Sequence, residues 1–225
     1  MSERDGRPVP FQDRRDAGRQ LAQRLVPLGL VAPVVLGLAR GGVPVASEVA
    51  ATLGSSLEVF VARKVGAPGH EELGIGAVAE GLDVAIISDR AGELGISVSD
   101  LQVLAAPARR ELERRVVLYR GARPLPRLAQ QDVVLVDDGL ATGVTAEAAL
   151  RAVSAHGPRR LVLAAPVCSP GTAARLSHVA DDVVCGQLPT RFFAVGHWYE
   201  NFSQTTDDEV LELLGGSPAG GASRG

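Results

Sequence analysis

Two adjacent carboxylates, Asp137 and Asp138, directly follow a run of four apolar residues. Neighbouring carboxylates at the end of a strand accept hydrogen bonds from vicinal hydroxyls or lie near a bound Mg²⁺. The next residues, 139–145, are small or carry hydroxyls and lead into a predicted helix. Backbone N–H groups and a helix N-terminus form an anion site that needs no lysine. Together these groups predict a pocket for a ribose 5-phosphate.

The basic residues of the chain are nearly all arginine. There are 23 basic and 26 acidic residues, and the only lysine is Lys64. Lys64 stands between Arg63 and Val65, which excludes a phosphate-binding loop of the G-x-x-x-x-G-K-[ST] type. The net charge of −3 gives no general attraction to nucleic acid. The arginine-rich segment at 109–127 is interpreted as a solvated helix face, since no aromatic interleaving supports base stacking there.

Predicted strands alternate with predicted helices along the chain, which indicates an α/β fold with a mostly parallel sheet and right-handed crossovers. The strands are predicted at 34–38, 57–62, 84–87, 133–136, 161–165 and 182–185. The helices are predicted at 12–26, 44–53, 97–119, 144–155 and 171–177. A glycine-rich segment at 64–82 is predicted as a mobile loop or a hairpin. This order places Asp137 at the carboxyl end of a strand, where open parallel sheets bind ligands.

The length and composition predict one domain at residues 1–214, with a core at about 30–190 and a disordered tail at 215–225. The polar N-terminus has no apolar segment typical of a signal peptide, and no apolar stretch approaches the roughly 20 residues of a membrane span. We therefore expect a cytoplasmic protein that does not bind membranes. Cys168 and Cys185 lack C-x-x-C spacing and are interpreted as two small buried thiols.

Residues 133–145, VVLVDDGLATGVT, resemble the signature that type I phosphoribosyltransferases use to bind 5-phosphoribosyl 1-diphosphate (PRPP). The resemblance implies that nine residues bind PRPP: Asp137, Asp138, Gly139, Leu140, Ala141, Thr142, Gly143, Val144 and Thr145. Asp137 and Asp138 would hold the ribose hydroxyls and, indirectly, the Mg²⁺ of Mg–PRPP, while residues 139–145 would hold the 5-phosphate. The implied fold is a mostly parallel central sheet flanked by helices, with a glycine-rich flexible loop or hood.

A second part of the resemblance concerns the leaving diphosphate. The turn Ala39, Arg40, Gly41 and Gly42 resembles the pyrophosphate loop of the family, which often contains a non-proline cis peptide. Arg40, Arg63 and Lys64 would then be the catalytic cations, and Mg²⁺ the cofactor that neutralises the diphosphate. The glycine-rich residues 66–82 would close over the site as a lid.

Residues 62–68 and 71–77 resemble a bacterial subgroup characterised only as phosphoribosyltransferase domain proteins, as does Phe11-x-Asp13-Arg14-x2-Ala17-Gly18. The implied activity is that of a pentosyltransferase in nucleotide salvage, moving the 5-phosphoribosyl group of PRPP to a nitrogenous acceptor with release of pyrophosphate. The alternative is a non-catalytic module that senses PRPP or a nucleotide. The implied partners are PRPP, a small planar acceptor and a second copy in a homodimer, without nucleic acid.

The sequence narrows the choice of acceptor base. Ala141 stands where the 6-oxopurine enzymes of the family carry an aspartate, so the loop resembles the adenine and uracil branches and disfavours hypoxanthine or guanine. Four aromatic residues cluster near the C-terminus: Phe192, Phe193, Trp198 and Tyr199. Packing in the core or at an interface is the favoured interpretation of this cluster, with stacking on a planar acceptor as the alternative.

Overall fold

The apolar runs of the sequence form a parallel sheet in the computed structural model, which describes residues 10–82 and 86–215. The strands are β1 (Val34–Leu38), β2 (Ser56–Phe60), β3 (Ala62–Ala67), β4 (His70–Ala79), β5 (Ile86–Ile87), β6 (Asp132–Val136), β7 (Arg160–Val167) and β8 (Asp182–Gln187). The helices are α1 (Arg14–Leu25), α2 (Gly42–Leu53), α3 (Asp89–Glu93), α4 (Val98–Leu104), α5 (Ala106–Arg120), α6 (Val144–Ser154), α7 (Pro170–Leu176) and α8 (Asp207–Gly215).

The main sheet has five parallel strands in the order β2-β1-β6-β7-β8. Its residues alternate between two apolar layers, as the two-residue period of a strand requires. Val35 and Val134 pack with α1 and α2, whereas Leu36 and Leu135 pack with α6 and α7 on the opposite face. The predicted α/β fold with a mostly parallel sheet flanked by helices is confirmed.

A smaller antiparallel sheet, β3-β4-β5, follows the second strand and is here called the hood. It contains the glycine-rich residues, so of the two predicted alternatives for this segment the structure contains the hairpin. A buried ion pair joins the hood to α5: Arg120 donates to Glu80 Oε1 at 3.0 Å and to the Val59 carbonyl oxygen at 3.1 Å. Glu80 also accepts from the Val61 amide at 2.8 Å. These bonds connect the hood, the main sheet and α5.

Three predicted elements differ from those observed. The helix expected at 97–119 is two helices, α4 and α5, and Pro107 lies in the first turn of the second, where a missing N–H costs nothing. The predicted strand at 57–62 ends at Phe60, and Ala62 begins the hood. Of the strand expected at 84–87, residues 84 and 85 lie outside the described part of the chain. The tail at 216–225 and the N-terminal residues 1–9 lie outside it as well.

The two cysteines are bonded to each other, so the expectation of two separate thiols is wrong. Cys168 follows β7 and Cys185 lies in β8, with their Cα atoms 6.0 Å apart. The two strands are adjacent and parallel, which brings residues 17 positions apart into bonding range. Spacing along the chain could not show this because the approach depends on strand pairing.

One finding bears on membranes. None of the helices within residues 10–82 and 86–215 is both long and apolar enough to cross a bilayer.

Candidate functional site

The two adjacent acids lie at the carboxyl end of β6, as predicted. The Asp138 amide donates to Asp137 Oδ1 at 2.9 Å, and Arg14 Nε donates to Asp138 Oδ2 at 2.8 Å. Burial and the neighbouring charge of Asp138 raise the pKa of Asp137 to about 8. Burial also raises the pKa of Asp138, while Arg14 opposes that increase. Both carboxyls of the pair therefore hold a proton more readily than an exposed aspartate does.

Aromatic residues hold Arg14 and Asp138 in place. The Arg14 guanidinium lies 4.0 Å from the centre of the Phe202 ring, and Phe202 in turn packs 4.9 Å from Tyr199. The Tyr199 hydroxyl donates to the Asp138 carbonyl oxygen at 2.5 Å. The second acid is thus positioned by the start of α1 and by residues near the C-terminus.

The loop at 139–145 is anchored by its carbonyl groups. Thr172 Oγ1 donates to the Ala141 carbonyl oxygen at 2.5 Å, and Arg175 Nη2 donates to that of Thr142 at 2.6 Å. The Leu140 amide donates to the last residue of β7 at 2.8 Å. Helix α7 and strand β7 therefore fix the backbone of this loop.

The loop ends at the N-terminus of α6. Gly143 is the N-cap residue, has a φ of +69° and makes no side-chain capping bond. A Cβ at this position would overlap Thr172 and lie 3.0 Å from Leu176 Cδ1, so glycine is required for both conformation and space. The N–H groups of the first turn have no acceptor within the helix. This arrangement can bind a phosphate through backbone amides.

The turn after β1 packs directly on the two acids. The peptide bond between Ala39 and Arg40 is cis, in agreement with the resemblance to the pyrophosphate loop. A Cβ on Gly41 would overlap the Asp138 carboxylate, and one on Gly42 would overlap the carbonyl oxygen of Val136. The two glycines therefore let this turn and the end of β6 form one surface.

Arg40 points from this turn toward α8. Its Nη1 lies 3.4 Å from Asp207 Oδ1, which also accepts from the Tyr119 hydroxyl at 2.6 Å. That hydrogen bond is the largest cause of the lowered pKa of Asp207, and Arg40 adds to it. Burial, followed by the Asp207 contact, raises the pKa of Tyr119 to about 12. Asp207 therefore stays ionised and holds the Arg40 side chain.

Arg63 and Lys64 lie on β3 beside a cavity of about 770 Å³. The cavity is also lined by Ala39, Asp137 and Thr145, so it joins the turn, the first acid and the start of α6. Burial lowers the pKa of Arg63, and the nearby charge of Arg115 lowers it further.

A second cavity, of about 540 Å³, lies on the other side of Lys64 and is lined by Ala141, Thr142 and Val144. The single lysine thus faces both cavities. Among the predicted site residues, the following line neither of these two cavities: Arg40, Gly41, Gly42, Asp138, Gly139, Leu140 and Gly143.

The four aromatic candidates separate into two environments. Trp198 and Tyr199 are buried in a small cluster with Phe11, and Phe192 packs against it. Phe193 is 80% exposed. Packing in the core is therefore the observed role of Trp198 and Tyr199.

Three charged residues of the site cannot be predicted as site residues from the sequence. Arg14 belongs only to the family resemblance, no sequence signal marks Asp207, and the arginine-rich segment at 109–127 predicts a solvated helix face for Arg115. That interpretation is wrong for Arg115, which lines the larger cavity, and for the buried Arg120. The spacing of four residues between Glu111 and Arg115 predicts their pairing on a helix, which is confirmed at 2.9 Å.

The family model described as "Phosphoribosyl transferase domain" matches residues 12–201 of the chain. Two Mycobacterium tuberculosis proteins are each 46% identical over 204 residues, Rv0571c of strain H37Rv and MT0597 of strain CDC 1551. Both bear the name phosphoribosyl transferase as a provisional assignment. The match covers 91% of this chain but 46% of theirs, so the chain spans about half the length of these curated relatives.

A solved structure is similar over nearly the whole of both chains. The crystal structure of TT1426 from Thermus thermophilus is 48% identical in sequence, with a TM-score of 0.77. The alignment covers 92% of this chain and 98% of that one.

Proposed function

Because the chain belongs to the phosphoribosyltransferase family, we propose that it moves the 5-phosphoribosyl group of PRPP to a nitrogenous acceptor and releases pyrophosphate. The observation that carries this proposal is the larger cavity. It brings Asp137 and Thr145 from the PRPP signature to the same space as Arg63 and Lys64. The Asp137 carboxylate can accept hydrogen bonds from the hydroxyls of a sugar, and the two cations can bind its diphosphate.

The proposed reaction exchanges two bonds at ribose C1. A nitrogen lone pair of the acceptor forms the new bond, the bond from C1 to the diphosphate oxygen breaks, and its electron pair leaves with the diphosphate. The acceptor nitrogen passes its proton to water, so atoms and charge balance. Arg63 and Lys64, which line the cavity, would stabilise the charge that develops on the diphosphate, which is where fixed cations increase the rate most. Arg40, which Asp207 holds outside this cavity, remains a predicted catalytic residue. Asp137 and Asp138 would hold the ribose hydroxyls and thereby orient C1.

Mg²⁺ enters this proposal as part of the substrate, where it neutralises charge on the diphosphate. The carboxylate oxygens of Asp137 and Asp138 are of the kind that Mg²⁺ prefers. The raised pKa of Asp137 also fits, because a nearby cation would relieve the repulsion between the two acids. The residues present are therefore compatible with an Mg–PRPP complex.

The acceptor is proposed to be a planar base, with Phe193 as the residue that stacks on it. Of the four aromatic candidates, Phe193 has its ring mostly in solvent. It precedes Val195 by two residues, and a Cβ on Gly139 of the PRPP signature would overlap the Val195 side chain. Phe193 is thus carried by a segment that packs against the loop. With Ala141 in that loop, adenine or uracil is the expected acceptor.

Pyrophosphate release tests the proposal. The purified chain would be incubated with PRPP, Mg²⁺ and, in turn, adenine, uracil, hypoxanthine and guanine, with the variant lacking both carboxylates, Asp137→Asn with Asp138→Asn, as control. Release that depends on one base and on the carboxylates is expected. Binding of PRPP without release for any base would favour the sensor alternative, and no binding of PRPP would contradict both.

A homodimer, a cytoplasmic location and a role in nucleotide salvage remain predictions. The oligomeric state can be measured on the same preparation by sedimentation, which is expected to give twice the chain mass.

A further inference from the structure

Helix α5 contributes a guanidinium to the wall of the larger cavity. Arg115 lines this cavity with Arg63 and Asp137, and its side chain is 15% exposed. The adjacent Arg114 is 53% exposed and is not among the described residues that line the cavity. Two neighbouring arginines of one helix therefore have different surroundings, and one of them faces the proposed diphosphate site.

A single carboxylate, Glu111, holds Arg115 in this position. Arg115 Nε donates to Glu111 Oε1 at 2.9 Å, and Arg63 Nη1 lies 3.4 Å from the same oxygen. Arg114 bonds to both oxygens, with Nε 2.7 Å from Oε2 and Nη2 3.0 Å from Oε1. The hydrogen bond from Arg114, followed by that from Arg115, lowers the pKa of Glu111 to about 2, so it stays ionised. Glu111 thus aligns the guanidiniums of Arg63 and Arg115 side by side.

The positive charge of this pair is only partly balanced. Arg63 and Arg115 share one carboxylate, which also pairs with Arg114. The Nε atom of Arg63 is buried without a hydrogen-bond partner in the part of the chain that the structure describes. A buried donor without an acceptor is costly, so the contact with Glu111 satisfies the Arg63 guanidinium only in part. Arg115 uses Nε for Glu111, and its two terminal nitrogens are the groups suited to a phosphate oxygen.

We infer that Arg115 binds the diphosphate of PRPP together with Arg63, and that Glu111 is the positioning residue that sets their alignment. The inference rests on the proposed function and extends its site to a helix outside the PRPP signature, the pyrophosphate loop and the hood. An arginine suits this role because its planar group can contact Glu111 and a phosphate at the same time.

The test compares Arg115→Gln with Arg110→Gln, a control that removes an exposed arginine of the same helix. Binding of PRPP, pyrophosphate and ribose 5-phosphate would be measured by calorimetry in the presence of Mg²⁺. Arg115→Gln is expected to weaken the binding of PRPP and of pyrophosphate by about 10- to 100-fold, which is the effect of losing a charged hydrogen bond. Ribose 5-phosphate has no diphosphate and should bind within about twofold of wild type. Glu111→Gln should reproduce this selectivity with a smaller loss.

Two outcomes would overturn the inference while leaving the proposed function standing. In one, Arg115→Gln binds pyrophosphate as well as the wild type and Arg110→Gln do. In the other, Arg115→Gln loses affinity for ribose 5-phosphate as much as for pyrophosphate, which would indicate a structural role. Failure of the wild-type chain to bind PRPP would instead contradict the proposed function, and the inference with it.

Discussion

Gly42 tests whether the turn after β1 and the acidic end of β6 form one packed unit. A Cβ at this position would overlap the Val136 carbonyl oxygen and lie 3.0 Å from Asp137 Cα. Both are backbone atoms, which cannot rotate away as the end of a side chain can. Gly42→Ala must therefore move α2 away from β6 or displace Asp137.

Two opposing effects set the size of this change. Alanine is favoured over glycine by about 1 kcal/mol in a helix interior, and by less at Gly42, which is the first residue of α2. Overpacking typically costs about 1–3 kcal/mol, and contact with backbone belongs at the upper end of that range. The cost of overpacking should exceed the gain in helix propensity, with a net loss of about 1–2 kcal/mol in the free energy of unfolding. Displacement of Asp137 should also weaken the binding of PRPP by about tenfold or more, because a shift of about 1 Å in a site residue has effects of this size.

Gly171 in α7 provides the control, because a Cβ there meets no heavy atom within 4 Å. Denaturant unfolding and calorimetric titration with Mg–PRPP would be run on the wild type, Gly42→Ala and Gly171→Ala. The control should be as stable as the wild type or slightly more stable, and should bind PRPP normally. If Gly42→Ala matched the control in both measurements, the proposed packing of the two parts of the site would be wrong.

Three further changes separate stability from binding. Gly41→Ala meets the Asp138 carboxylate rather than backbone, so calorimetry should show weaker PRPP binding with little loss of stability; equal affinity would contradict this. Asp137→Asn removes a carboxyl whose pKa in the folded protein, about 8, exceeds its value of about 3.9 in the unfolded chain. The folded state therefore binds the extra proton, so wild-type stability falls as pH rises from 4 to 8. Over that range, the free energy of unfolding of the variant should rise relative to that of the wild type by at most about 1.4 kcal/mol per pH unit. A difference in stability that does not change with pH would show that the pKa of Asp137 is not raised. Lys64→Arg should slow pyrophosphate release, because a planar guanidinium does not replace a compact ammonium between two cavities; full activity would show that any cation suffices.

The central strands and the acidic pair could be predicted because their signals are local. Residues 133–136 form an unbroken apolar run that is typical of a buried parallel strand, and the two acids follow it at once. The start of α6 could also be predicted from a local signal, because small residues precede an amphipathic segment. The break between α4 and α5 could not be predicted. Both helices carry a helical sequence pattern, and a proline is tolerated in the first turn of a helix.

The partners of the site residues could not be predicted because they are distant in sequence. Arg14 reaches Asp138 across 124 positions, and Arg40 reaches Asp207 across 167. Each pairing depends on where α1 and α8 pack against the sheet, which no local pattern encodes. The disulfide has the same origin, since its cysteines meet through the pairing of β7 with β8.

Calorimetric titration of Mg–PRPP into the wild type and into the double variant Asp137→Asn with Asp138→Asn tests the site most directly. The account predicts saturable binding to the wild type and loss of that binding in the variant, which should still be folded and unfold in one cooperative transition. Absence of binding to the wild type, or equal affinity in the variant, would contradict it.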